Sequence, residues 1–156
     1  MSSQLVGFGS SEFDGPSTLA IMLISQPSSD QEIGLGSKPA LIAIVEDDPS
    51  VRKSLERLIK AEGFRTIAFA SAEDFLQRGD HRATNCLILD LRLPGMSGLE
   101  LQHHLVTGHD AVPIVFVSAH DEPETRYKAL QAGAAAFLSK PVNDDVLVDA
   151  IRSVVK

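Results

Sequence analysis

The stretch CLILDLRLPGMSG, Cys86 to Gly98, runs four apolar residues into a lone carboxylate, Asp90, and then into a Pro-Gly loop. A short, continuously apolar run bounded by turn residues reads as a strand covered on both faces, as parallel strands are. The loop that follows is of the kind that stays open to solvent. Asp90 therefore stands where a core meets water, and the rest of the chain must explain why an acid is placed there.

Working outward, comparable runs recur at Ala40–Val45 (ALIAIV), Phe64–Phe69 (FRTIAF), Pro113–Val117 (PIVFV) and Ala135–Leu138 (AAFL), and with Cys86–Leu89 all but FRTIAF are continuously apolar. Helical patterns separate them. Val51, Leu55, Leu58 and Ile59 share one face, with Gly63 placed to stop the helix. Ser71 with Asp74 resembles an N-terminal cap for a short helix ending near Gln77. Leu99–Val106, Glu122–Ala132 (ended by Gly133) and Asp144–Val155 give three more. Strict alternation of five strands and five helices predicts an α/β fold with a doubly wound parallel sheet, because right-handed crossovers allow few other arrangements. Ligands of such sheets bind beyond the carboxyl ends of the strands.

The chain of 156 residues suits one domain with a full core. Residues 1–38 are rich in Ser and Gly and lack a sustained period, so a mostly disordered extension is expected there, with a short ordered patch around Thr18–Ser25. The folded domain is expected over 39–156. An apolar fraction of 44% and a charged fraction of 22% are those of a soluble globular protein, and the longest apolar patch outside the core region, Leu19–Ile24, is too short for a bilayer. Lys38 is the first basic side chain, so the start lacks the positive region of a secretory signal, and a cytoplasmic location is expected. The single cysteine, Cys86, excludes a disulfide framework and reads as a small buried hydrophobe. A formal net charge of −7 argues against direct nucleic-acid binding, which needs clustered Lys and Arg.

The strand ends carry Glu46, Asp47 and Asp48 after the first run, Asp90 after the third, Ser118 after the fourth and Lys140 after the fifth. Each has an ordinary explanation alone. Asp90 could close an Asx-turn, Asp48 before Pro49 makes a good helix cap, and Ser118 and Lys140 could be a turn hydroxyl and a solvated ammonium. Their joint placement is harder to dismiss, since carboxylates about 4 Å apart repel by roughly 1 to 4 kcal/mol. A hard divalent cation such as Mg²⁺ fits all-oxygen donors of this kind. It would let the Asp90 carboxylate meet a phosphoryl group, with Lys140 as a point charge and Ser118 as a hydrogen-bond donor to the same anion. His103 and His104 are adjacent on a helix and diverge, which disfavours a metal site there.

The segments IVEDDPSVRKSL, LILDLRLPGMSG, PIVFVSAH and AAAFLSKPV resemble, in order, the signature segments of response-regulator receiver domains, the phosphoacceptor modules of two-component signalling. The likeness covers Ala40 to Val155, and VRKSLERLI and SAEDFL look closest to receivers of the FixJ type. It implies the CheY-like strand order 2-1-3-4-5 and a phosphorylated Asp90. Glu46 and Asp47 would be the acidic pair around Mg²⁺, completed by Asp90 and the main-chain carbonyl of Arg92. Ser118 and Lys140 would hold the phosphoryl oxygens, Lys140–Pro141 would be a cis peptide, and Asp48 would stay off the metal. Phe137 matches the switch aromatic, moving into space that Ser118 leaves, although plain core packing would also account for it. Arg92 and His120 match the positions that flank the phosphoryl group.

The resemblance further implies a histidine kinase or phosphotransfer protein as donor, a downstream protein target, and a phosphorylation-dependent homodimer through the fourth helix, fifth strand and fifth helix. No enzyme activity beyond self-phosphorylation and its reversal is expected. With nothing after the fifth helix, the chain reads as either a stand-alone receiver or a fragment of a longer regulator. A haloacid-dehalogenase-like phosphatase would need a second Asp where Arg92 stands, and a nucleotide binder would need a Gly- or Ser-rich phosphate loop where EDDP stands. A receiver fold used only for protein interaction is the remaining alternative. Arg92→Ala or His120→Ala is expected to change the lifetime of the phosphorylated state with the fold intact; unchanged decay in both variants would refute those two roles.

Overall fold

The computed structural model describes Lys38 to Val155. The extension expected over 1–38, with its patch at Thr18–Ser25, lies outside the described residues apart from Lys38. The elements are β1 (Leu41–Val45), α1 (Pro49–Ala61), β2 (Arg65–Phe69), α2 (Ala72–Arg78), β3 (Cys86–Leu89), α3 (Gly98–Thr107), β4 (Ile114–Ser118), α4 (Pro123–Gln131), β5 (Ala136–Ser139) and α5 (Asp144–Val154). The five strands are parallel in the order β2-β1-β3-β4-β5. Both the alternation and the order agree with the reading of the sequence.

The period-2 geometry of each strand divides its side chains between two cores. Ile42, Ile44, Ile88, Val115 and Val117 pack with Leu55 and Ile59 of α1 and with Leu147 and Ile151 of α5. Ala43, Val45, Leu87, Leu89 and Phe116 point the other way, against Phe75 of α2, Leu101 and Leu105 of α3, and Ala129 of α4. Full burial of one such large apolar side chain stabilises the fold by about 1.5–3 kcal/mol. Of the continuously apolar runs, those of β1, β3 and β4 are central, and that of β5 lies at one edge, where Phe137 is its one buried residue. β2 lies at the other edge, where Arg65 and Ile67 are exposed and FRTIAF mixes polar with apolar residues.

Side chains that satisfy the first free N–H groups fix where the helices begin. Asp48 Oδ1 accepts from the Ser50 and Val51 amides at 2.8 and 3.3 Å, with Pro49 in the first turn of α1. Ser71 Oγ accepts from the Asp74 amide at 3.0 Å, as its spacing predicts. Ser97 and Glu100 form a reciprocal capping box at the start of α3, which the sequence reading did not single out. Gly63 ends α1 with φ +96°, a conformation that side chains with a Cβ resist. Ser118, expected just past the fourth strand, is instead its last residue, paired with Ser139 because β5 extends to meet it.

Cys86 is fully buried on the α1/α5 side of β3, and burial pushes its thiol up to about 12. Only the thiolate reacts readily with disulfide reagents. In the folded protein at pH 8, labelling of Cys86 is expected to proceed only as fast as the chain opens, with urea unmasking it at the unfolding midpoint. Rapid labelling of the native protein would contradict this burial.

Candidate functional site

The backbone ladder runs past the strand ends and sets the site residues side by side. The Glu46 amide donates to the Phe69 carbonyl at 3.1 Å, the Asp90 amide to Val45 at 3.1 Å and the Lys140 amide to Ser118 at 2.9 Å. Residues from four loops thus converge at the carboxyl edge of the sheet. Glu46, Asp47 and Asp90 each offer a carboxylate oxygen, all within 4.8 Å of one another. Glu46 and Asp90 are buried, whereas Asp47 faces solvent.

Lys140 supplies the nearest positive charge. Its Nζ donates to Glu46 Oε1 at 2.8 Å and to Asp90 Oδ2 at 3.0 Å. Glu46 is fully engaged, since its Oε2 also accepts from the Asp48 amide at 3.0 Å. Burial raises the Glu46 carboxyl above its ordinary range, against the lowering effect of Lys140 and the Asp48 amide. Burial alone would lower the Lys140 ammonium, but its bonds to Glu46 and Asp90 outweigh this and leave it raised. At neutral pH the lysine is charged. Asp90 Oδ1 takes no hydrogen bond from the described residues.

Three carboxylates against one ammonium leave a formal deficit that a single divalent cation would cancel. All the donors are oxygen, the set that Mg²⁺ prefers. His103 and His104 are exposed on α3 and outside this cluster. Asp48 has its side chain committed to the start of α1 and stays outside the carboxylate trio, as expected.

The remaining expected residues lie close by. Ser118 is fully buried, and its Oγ accepts from the His120 amide at 3.1 Å. Arg92 is exposed and His120 half-buried. The Lys140–Pro141 peptide is cis. Phe137 is only 4% exposed, with its ring stacked on Phe116 at 5.7 Å, so it already occupies the core.

Two contributors carry no role in the sequence reading. Arg52 of α1 donates from Nη1 to the Glu46 carbonyl at 2.7 Å and to the Asp47 carbonyl at 3.3 Å, bracing the loop that holds both acids. Its position one turn into the helix, after a short loop, is the signal that could have found it. Glu73 of α2 accepts from the Met96 amide at 2.8 Å, which holds its carboxyl below the usual range and pins the loop after Asp90. No local pattern reveals that contact, because it spans 23 residues. Gly98 closes the same loop: a Cβ there would collide with the Asp90 carbonyl oxygen.

A 2-1-3-4-5 sheet with its polar groups gathered at the carboxyl edge defines a flavodoxin-like doubly wound domain. Residues 42–152 match the family model of the response regulator receiver domain, and the chain belongs to that family of two-component systems. It is 42% identical over 115 residues to nodulation protein W of Bradyrhizobium diazoefficiens, covering 74% of this chain and 51% of that protein. Among solved structures it is similar to the response regulator StyR, with 43% identity, a TM-score of 0.70, and coverage of 76% of this chain and 60% of that one. It is also similar to FixJ-N, with 32% identity, a TM-score of 0.68, and coverage of 76% and 94%. The chain spans about half the length of the curated relatives it matches. No helix among the described residues is long and apolar enough to cross a membrane.

Replacing Asp48 by Ala removes a helix cap, and urea denaturation should show a loss of about 1 kcal/mol. Calorimetric Mg²⁺ affinity should be nearly unchanged in that variant and largely lost in Asp47→Ala. Equal losses of affinity in both would mean that Asp48 also serves the metal.

Proposed function

We propose that this chain is a phosphorylation-activated receiver that takes a phosphoryl group from a phosphohistidine onto Asp90 and thereby switches a protein-binding surface. The observation that carries the reading is the meeting of Lys140 with Asp90 and Glu46 at 3 Å or less, beside Asp47. Glu46, Asp47, Asp90 and the Arg92 carbonyl would hold Mg²⁺, with Glu46 acting mainly through water. When bound, the cation neutralises charge on the phosphoryl oxygens.

In this reading Asp90 Oδ1 attacks phosphorus in line. The new bond is an acyl phosphate, and the P–N bond to the donor imidazole breaks with its electron pair leaving on nitrogen. Lys140 is already charged and within hydrogen-bond distance of Asp90, so it can turn one N–H to a phosphoryl oxygen. Ser118 Oγ accepts from His120 and still has its own proton to donate to another. Water then attacks the same phosphorus, the P–O bond to Asp90 breaks with its electron pair returning to the carboxylate, and inorganic phosphate leaves, at a rate set in part by Arg92 and His120.

A histidine kinase or phosphotransfer protein would supply the phosphoryl group in the cytoplasm. The apolar groove lined by Val51, Leu55, Leu58, Pro141 and Val142 beside Lys140 offers such a donor a surface to rest on. The output is a protein contact, with homodimerisation through α4, β5 and α5 as one form of it. A shift of only a few kcal/mol between two states suffices for a switch.

Incubation with acetyl phosphate and Mg²⁺ should add the mass of one phosphate to the wild-type chain, and Asp90→Asn should abolish the gain. A wild-type chain that gains nothing would leave the receiver fold as an interaction module that works without phosphorylation.

A further inference from the structure

Phe137 is held by more than its neighbours in the core. Arg126 of α4 donates from Nη1 to the Phe137 carbonyl at 3.0 Å and from Nη2 to Ser139 Oγ at 3.3 Å. Its guanidinium carbon also lies 5.0 Å from the centroid of the Phe137 ring, within cation–π range. One side chain therefore grips the ring, the backbone of its residue and a second residue of the same strand.

The grip continues toward the pocket. The Ser139 hydroxyl donates to Asp121 Oδ2 at 2.6 Å. Asp121 follows His120, whose amide donates to Ser118 Oγ. An unbroken path thus runs from the Ser118 hydroxyl through the loop after β4 to Ser139, Arg126 and the Phe137 ring. Ser118 is thus joined to Asp121 along the chain, and Asp121 to the guanidinium through the Ser139 hydroxyl.

We propose that Arg126 is a positioning residue that clamps the Phe137 ring in its buried place and, through Ser139 and Asp121, couples it to the loop beginning at Ser118. The clamp stands on these contacts alone, whereas the coupling rests on the phosphoacceptor reading given above. Phe137 supplies no hydroxyl with which to find a polar partner, so the guanidinium is the side chain that ties this residue to α4. A lysine would keep the charge over the ring but lose the forked donation to β5.

Spatial continuity by itself does not demonstrate coupling, so the experiment must measure it. The full chain is produced with 4-fluorophenylalanine at its seven Phe positions, and the Phe137 fluorine signal is assigned with Phe137→Leu. In the resting protein, Arg126→Met should move or broaden that signal, and Arg126→Lys should restore part of the change. On addition of acetyl phosphate and Mg²⁺ the wild-type signal should shift. In Arg126→Met and Asp121→Ala the shift should shrink roughly threefold or more while the mass gain of one phosphate persists. A resting Phe137 signal unmoved by Arg126→Met would overturn the clamp, and a full shift retained in both phosphorylated variants would overturn the coupling. A wild-type chain that takes up no phosphate would overturn the phosphoacceptor reading and the coupling with it, and the resting comparison would still decide the clamp.

Discussion

The pocket depends on one ammonium placed between two buried carboxylates. Lys140 comes from the end of β5, Glu46 from the end of β1 and Asp90 from the end of β3, so the contact joins points 94 and 50 residues apart. Buried ion pairs are poor sources of net stability, because desolvation offsets most of their attraction. Their persistence at this edge is better understood as placement: the lysine holds Asp90 Oδ2 in a fixed direction and leaves Oδ1 without a hydrogen bond from the described residues. The cost of burial is visible in Glu46, whose carboxyl is raised even with both oxygens engaged.

Around that contact the loops are fixed from outside the pocket. Arg52 takes the carbonyls of Glu46 and Asp47, Glu73 takes the amide of Met96, and Gly98 allows the chain to pass against the Asp90 carbonyl. None of these groups contributes a side chain to the acidic cluster. They determine how far the acids can relax from one another, and so how much of their repulsion remains for a cation to relieve.

Much of this was legible in the residues. β1, β3 and β4 declared themselves because central parallel strands must be apolar on both faces; of the two edge strands, β5 kept an apolar run and β2 mixed polar with apolar residues. The acids, hydroxyl and lysine were legible because a doubly wound sheet brings its carboxyl ends together, whatever the distances along the chain. What stayed hidden were the supports. Arg52, Glu73 and Arg126 act on backbone groups or across elements, and a lone Arg or Glu on an amphipathic helix looks like any solvated face. Phe137 was read as either a moving ring or core packing; the structure sets it in the core, and Arg126 is the neighbour that pattern alone could not supply. The capping box of Ser97 and Glu100 is legible too, since its spacing is local.

The exposed margin at β2 has a consequence for crowded solution. An outermost strand presents a row of amide and carbonyl groups that could template pairing with another chain. Here the strand begins at Arg65, an exposed residue whose Nε donates to the Pro39 carbonyl at 2.9 Å. A charged residue on an outermost strand is one of the ways natural sheets discourage such pairing, because a second strand lying there has to give the guanidinium's hydration a new place.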